Sequence, residues 1–138
     1  MNNRVLLAAL AGGVAAFLLG WLVWGILLMD IMKDVNPQFE GVERNPPGLA
    51  HIFIGNVVWA LLFAMIFSRW AGIATFKSGL IAGAWISALI ALSFNLVFLG
   101  TTNLMSINGA LIDLVANIVV GGLTAGVVGW VLGYGNRG

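Results

Sequence analysis

The chain has 138 residues, of which 61% are hydrophobic and only 8% are charged, with a formal net charge of +1. A soluble domain carries about a quarter charged residues, so these few charges cannot cover a water-facing surface, and the small net charge argues against a polyanion or nucleic-acid partner. The chain has no cysteine and a single histidine, His51; disulfides, thiolate nucleophiles and cysteine metal sites are excluded, and no metal centre or cofactor is expected.

Four apolar spans are predicted in chain order, at Val5 to Met29, Leu49 to Trp70, Ser78 to Leu99 and Ile107 to Leu132. Each exceeds the roughly 20 residues that cross a ~30 Å hydrocarbon core. Helices are predicted because no period-2 alternation appears and a backbone in lipid must satisfy its own hydrogen bonds. The expected fold is all-α: a single-domain, integral membrane four-helix bundle over residues 1–138, antiparallel and up-down-up-down. The first span follows Arg4 as a secretory signal would. Its apolar run is longer than the ~7–15 residues of a signal core, so it is read as a retained helix.

The segment Asp30 to Gly48 is the longest polar stretch, and Pro37, Pro46 and Pro47 oppose a continuous helix there. It reads as an outer linker or cap. The tight loop Ala71 to Phe76 predicts that spans 2 and 3 are antiparallel neighbours, with Thr75 as N-cap of span 3. The short Gly100 to Ser106 connection predicts that spans 3 and 4 pair as well. Arg4, Arg69, Lys77 and Arg137 fall on one side, and Lys33 and Arg44 on the other. The positive-inside rule therefore places both termini in the cytoplasm. Trp70, Trp130 and Tyr134 suit the inner interface. Trp21, Trp24, Trp59 and Trp85 are expected to be packing residues.

Small residues recur every four positions. Span 4 carries Gly109, Asp113, Asn117, Gly121, Ala125, Gly129 and Gly133; span 3 carries Gly79, Gly83, Ser87, Ala91 and Asn95. Span 2 carries Asn56, Ala60, Ala64 and Ser68, and span 1 carries Ala8, Gly12, Ala16 and Gly20. Such ladders let helix backbones approach closely in lipid; Gly79, Gly83, Gly121, Ala125 and Gly129 are the expected packing positions. Each four-residue step drifts about 40° round a straight helix. Span 4 is thus expected to be central and to face different neighbours along its length, unless the helices cross steeply. The further small residues Gly122 and Gly126 point to a homo-oligomeric contact or a membrane-protein partner.

The polar ladder members share one depth. At ~1.5 Å per residue, Asn56, Asn95, Asp113 and Asn117 lie roughly 10, 6, 9 and 15 Å below the outer ends of their spans. They form a candidate polar tier, with His51 and Asp30 at its mouth. One reading is structural, with Asp113 hydrogen-bonded to asparagines and the tier fixing register. The other is functional, because an ionisable group inside a membrane is by default a proton or cation site. His51 and the acids of the outer loop read as solvated groups, with no calcium-loop spacing.

The stretches GWLVWGILLMD in span 1, FKSGLIAGAWISALIALSFN in span 3 and the glycine-rich span 4 resemble a family of small bacterial four-span proteins catalogued as domain of unknown function seventeen sixty-one. That resemblance implies a bacterial inner membrane and no assigned chemistry. The residues themselves favour an oligomeric accessory or scaffold protein. The alternative is a small channel or a proton- or cation-coupled transporter using Asp113. An enzyme is not expected, since no nucleophile pair, metal cluster or cofactor motif is present.

Overall fold

A computed structural model describes residues 3–42 and 47–134. Glu43, Arg44, Pro46 and Arg137, which enter the reading of the outer loop and the charge balance, lie outside the described residues. Four long helices and one short one form the fold, with no strand among the described residues. They are α1 (Asn3–Leu27), α2 (Met29–Val35), α3 (Leu49–Ala71), α4 (Phe76–Thr101) and α5 (Ile107–Tyr134). The four long helices have 25, 23, 26 and 28 residues, each long and apolar enough to cross a membrane. The expected all-α helical bundle is what forms.

Its interior and exterior are sorted by size. Ala8, Ala60, Ala64 and Ala125 are completely buried, whereas Trp85 and Phe94 are 68% and 73% exposed. Lipid offers no hydrophobic drive for helix association, so the interior selects residues that permit close approach and the large apolar ones face outward. Phe63, Phe67 and Val128 are the main large side chains enclosed among these alanines. Trp21 and Trp85, expected as packing residues, lie on the exposed surface, while Trp59 does pack against the core.

The helices pair by the small faces of their ladders. On α1, Gly12 sits between Ala60 of α3 and Val128 of α5, and Gly13 meets Val57. Phe17 of α1 meets Phe53 edge-on, with ring centroids 5.6 Å apart. These partners fall along α3 as α1 rises, so the two run in opposite directions. Gly79 of α4 likewise meets Ala125, and Gly83 meets Gly121 and Ala125, while Asn95 reaches Ala110. Helices α4 and α5 are therefore antiparallel too. The α-hydrogens of Gly79, Gly129 and Gly133 point at the carbonyl oxygens of Ala125, Thr75 and Ala74. Weak Cα–H···O contacts of this kind contribute ~0.5–1 kcal/mol each.

Three expectations need correction. The first concerns α3 and α4, which make only marginal contact despite their short connection; α4 instead packs along α5. Gly72, at φ 64°, turns the chain out of α3. Thr75 then caps α4, as expected, its hydroxyl accepting from Ser78 N at 3.1 Å. The small face of α3, Ala60 and Ala64, is occupied by the core it shares with α1 and α5, so α4 follows the glycine ladder of α5.

The second concerns the α5 ladder. Helix α5 is central, touching α1, α3 and α4, but its ladder follows α4 from Asp113 to Gly129, and Gly133 meets Ala74 in the connection just before α4. Two four-residue rows drift in the same sense, and they remain together when the helices wind round each other with a right-handed crossing. Gly122 and Gly126 receive Leu80, Ala84 and Phe76 of α4, so they leave no spare glycine surface for an oligomer. The third concerns the outer segment. Its first part is helical (α2), ending at Asn36 just before Pro37.

A methyl group added at Gly83 would collide with Ala125, whereas Gly55 on α3 has open space around it. Gly83→Ala is expected to lower stability by ~1–3 kcal/mol, and Gly55→Ala to raise it by ~0.5–1 kcal/mol through the helix preference of alanine. Unfolding of the purified chain in detergent micelles checks both signs.

Candidate functional site

Three of the four tier residues meet in the α4–α5 seam, toward the end of the bundle that carries α2. Asn95 is 7% exposed. Its Nδ2 donates one hydrogen to Ala110 O and the other to Asp113 Oδ2, each at 3.1 Å. Asn117, one turn beyond Asp113 on α5, donates from Nδ2 to Asp113 O and to Asp113 Oδ2, each at 2.9 Å. One carboxylate oxygen thus accepts from two amides on two helices. Asp113 Oδ1 accepts no hydrogen bond among the described residues, and the side chain is half-buried. Interhelical polar contacts in membranes average ~0.6 kcal/mol and reach ~1.7. Asp113 is the seventh residue of α5, which puts it roughly 9 Å from the helix start. Its insertion penalty is therefore below the ~2.5–3.5 kcal/mol of the bilayer centre, and the one interhelical contact, from Asn95, offsets part of it.

The remaining predicted members are elsewhere. Asn56 donates to Ile52 O of its own helix at 2.9 Å and lines a groove between α1 and α3. His51 and Asp30 are exposed near the outer helix ends. Equal depth, the property that grouped these residues, says nothing about which helix faces which. The main cavities among the described residues are lined by other side chains than Asp113.

Two polar residues missed in the sequence hold the outer end of α5. Ser106 caps the helix, its Oγ accepting from Gly109 N at 3.0 Å. Asn36, at the end of α2, reaches across so that its Oδ1 accepts from Ser106 N at 3.0 Å. It also lies where a side chain on Gly109 would stand, so Gly109 is small to admit it. A serine just before a span is a legible N-cap signal. A partner 70 residues away has none. Deeper in the bundle, Ser87 Oγ in the seam and Thr124 Oγ1 near Gly12 of α1 are buried without a hydrogen-bond partner among the described residues. Ser87 lies against Gly121, where small size is what the contact requires.

Fold and site together define a multi-pass helical membrane protein with an internal polar clasp. Compared with family models, curated proteins and solved structures, the chain matches none.

The clasp predicts graded costs. Asn95→Leu is expected to lower stability by ~1–2 kcal/mol, because it removes the only clasp bond that crosses from α4 to Asp113. Asn56→Ala, whose bond is local, should change it by less than ~0.5 kcal/mol. Equilibrium unfolding in mixed micelles separates the two, and equal losses would contradict the clasp.

Proposed function

We propose that this chain is a small, non-enzymatic accessory or scaffold protein of a bacterial inner membrane, with both termini cytoplasmic. The observation that carries this reading is that Asp113, the ionisable group deepest in the spans, is bonded to asparagines from two helices. The carboxylate acts as a structural fastener. Arg4, Arg69 and Lys77 lie at the end of the bundle opposite Lys33, and that distribution supports the orientation. The family resemblance seen in the sequence supports the bacterial setting.

A scaffold needs a surface for its partner, and α4 supplies one. It packs mainly on one helix, α5, and leaves Ile81, Trp85, Leu89, Leu92 and Leu96 exposed as a stripe at helical spacing. A second copy or another membrane protein is proposed to cover it. The absence of native cysteine makes the test direct. Leu89→Cys is expected to give an inter-chain disulfide on oxidation in native membranes, while Leu10→Cys on the exposed side of α1 is not. A strictly monomeric chain in mild detergent, without cross-linking at Leu89 and without a co-purifying partner, would refute the scaffold reading.

A second reading has one observation in its favour, the unbonded Oδ1 of the half-buried Asp113. In that reading the oxygen takes up a proton or cation during transport. Liposome flux measurements decide the matter. Proton or cation flux that Asp113→Asn abolishes would establish transport, and wild-type liposomes no leakier than empty ones would leave the fastener alone.

A further inference from the structure

The last turn of α1, Val23–Leu27, is a π-helical turn closed by Leu28 N donating to Val23 O at 2.8 Å. Such turns interrupt the side-chain rows of a helix and are frequent at functional sites. Here the wider turn coincides with the loss of close packing around α1. Below it, Gly12 and Gly13 are in direct contact with α3 and α5. Around it the contacts open into cavities. A groove of about 450 Å³ runs between α1 and α3, lined by Phe17, Gly20, Trp21, Trp24, Ile52 and Asn56. Above it, at the outer interface, a cavity of about 300 Å³ is enclosed by Trp24, Met32, Lys33, Gln38 and Phe39. Trp24 lines both, so its indole is the common wall of an apolar slot within the membrane and a polar pocket at the surface. Both volumes fall in the range of small-molecule sites.

The charges of the upper pocket are one-sided. Among the described residues Lys33 is the only charged one on its wall, and it forms no ion pair with them. Asp30 and Asp34, its neighbours on α2, and Glu40 on the following loop are exposed and do not line the pocket. Gln38 Nε2 donates to Asn36 O at 3.1 Å and to Lys33 O at 3.4 Å. These bonds brace the wall and leave the lysine as the group that meets a ligand. The geometry points to a binding site for an anionic glycerophospholipid of the leaflet at this end of the bundle, the outer one in the orientation proposed above. Its headgroup phosphate pairs with Lys33, Trp24 packs at the glycerol level where amphipathic rings favour the interface, and one acyl chain lies in the α1–α3 groove. Charge complementarity and the continuity of a polar pocket with an apolar slot select this occupant over a wholly apolar one. The site is independent of the α4–α5 clasp and of any assembly through α4.

The test uses the full chain in nanodiscs of phosphatidylcholine and phosphatidylglycerol, released into native mass spectrometry, with bound lipids counted per chain. One lysine near an anionic surface contributes about fivefold in affinity, so phosphatidylglycerol should be retained about fivefold over phosphatidylcholine. Lys33→Gln should bring that ratio to about one, and Lys33→Arg should keep it. Gly20 lies under the Trp24 ring, at ordinary contact distance for an added methyl group. Gly20→Leu therefore fills the slot from its floor and should reduce retention of both lipids. Helical circular dichroism controls for folding. Equal retention of the two lipids by the wild type, a preference that survives Lys33→Gln, or full retention in Gly20→Leu would each overturn the assignment.

Discussion

The close approach of α4 and α5 is the constraint on which the rest of the molecule depends. In lipid, two helices gain nothing from excluding water, and association rests on how many atoms can be brought into contact. Gly79 and Gly83 facing Ala125 and Gly121 bring the backbones together directly. Larger side chains would hold the axes apart and forfeit both dispersion and the contacts between glycine α-hydrogens and facing carbonyls. Because α5 also touches α1 and α3, fixing α4 on one side of it determines which of its faces remain for the others.

A four-residue ladder has a weakness that the clasp repairs. Sliding α4 along α5 by four residues would again set small residues against small ones, so the ladder alone does not define the register. Asn95 and Asp113 favour one register, the one in which the amide meets the carboxylate. The bond from Asn95 to Ala110 O adds a second constraint on the same asparagine. This is the use for which buried polar groups are best attested, a modest gain in stability combined with a strong choice among alternatives, as with a single core asparagine in a coiled coil. In the structural reading an aspartate sits in the glycine ladder because a half-buried carboxylate with two amide donors specifies alignment at a level of the seam where size does not.

The four spans were legible in the sequence because length and apolarity are properties of one segment at a time. The ladders were legible for the same reason, and Asn95, Asp113 and Asn117 could be grouped because all lie on ladders at similar depth. The errors arise where the answer depends on two segments. Asn56 shares the depth of the clasp, but its helix packs on α1 and its amide turns to Ile52. Loop length suggested that α3 and α4 would pair, yet the small face of α3 was already committed to the core with α1 and α5. Asn36 and Ser106 carry no shared pattern, and only the folded backbone brings them together.

The two ends of the bundle are held by different physics. Toward Arg4 and Tyr134, alanines, glycines and the fully buried Phe63, Phe67 and Val128 fill the space, and packing suffices. Toward α2, α1 loosens at its π-helical turn and cavities separate it from α3 and α5. There the contacts between segments are directional: Asn36 to Ser106 and Asn95 to Asp113. Directional bonds can hold helices at a distance that packing alone would close. Space of that kind persists in a membrane only when something fills it, and lipid is always available to do so. At this end of the bundle Asn36 and Asn95 thus hold α2 and α4 to α5, while α1 stands off from α3 and α5 across the slots.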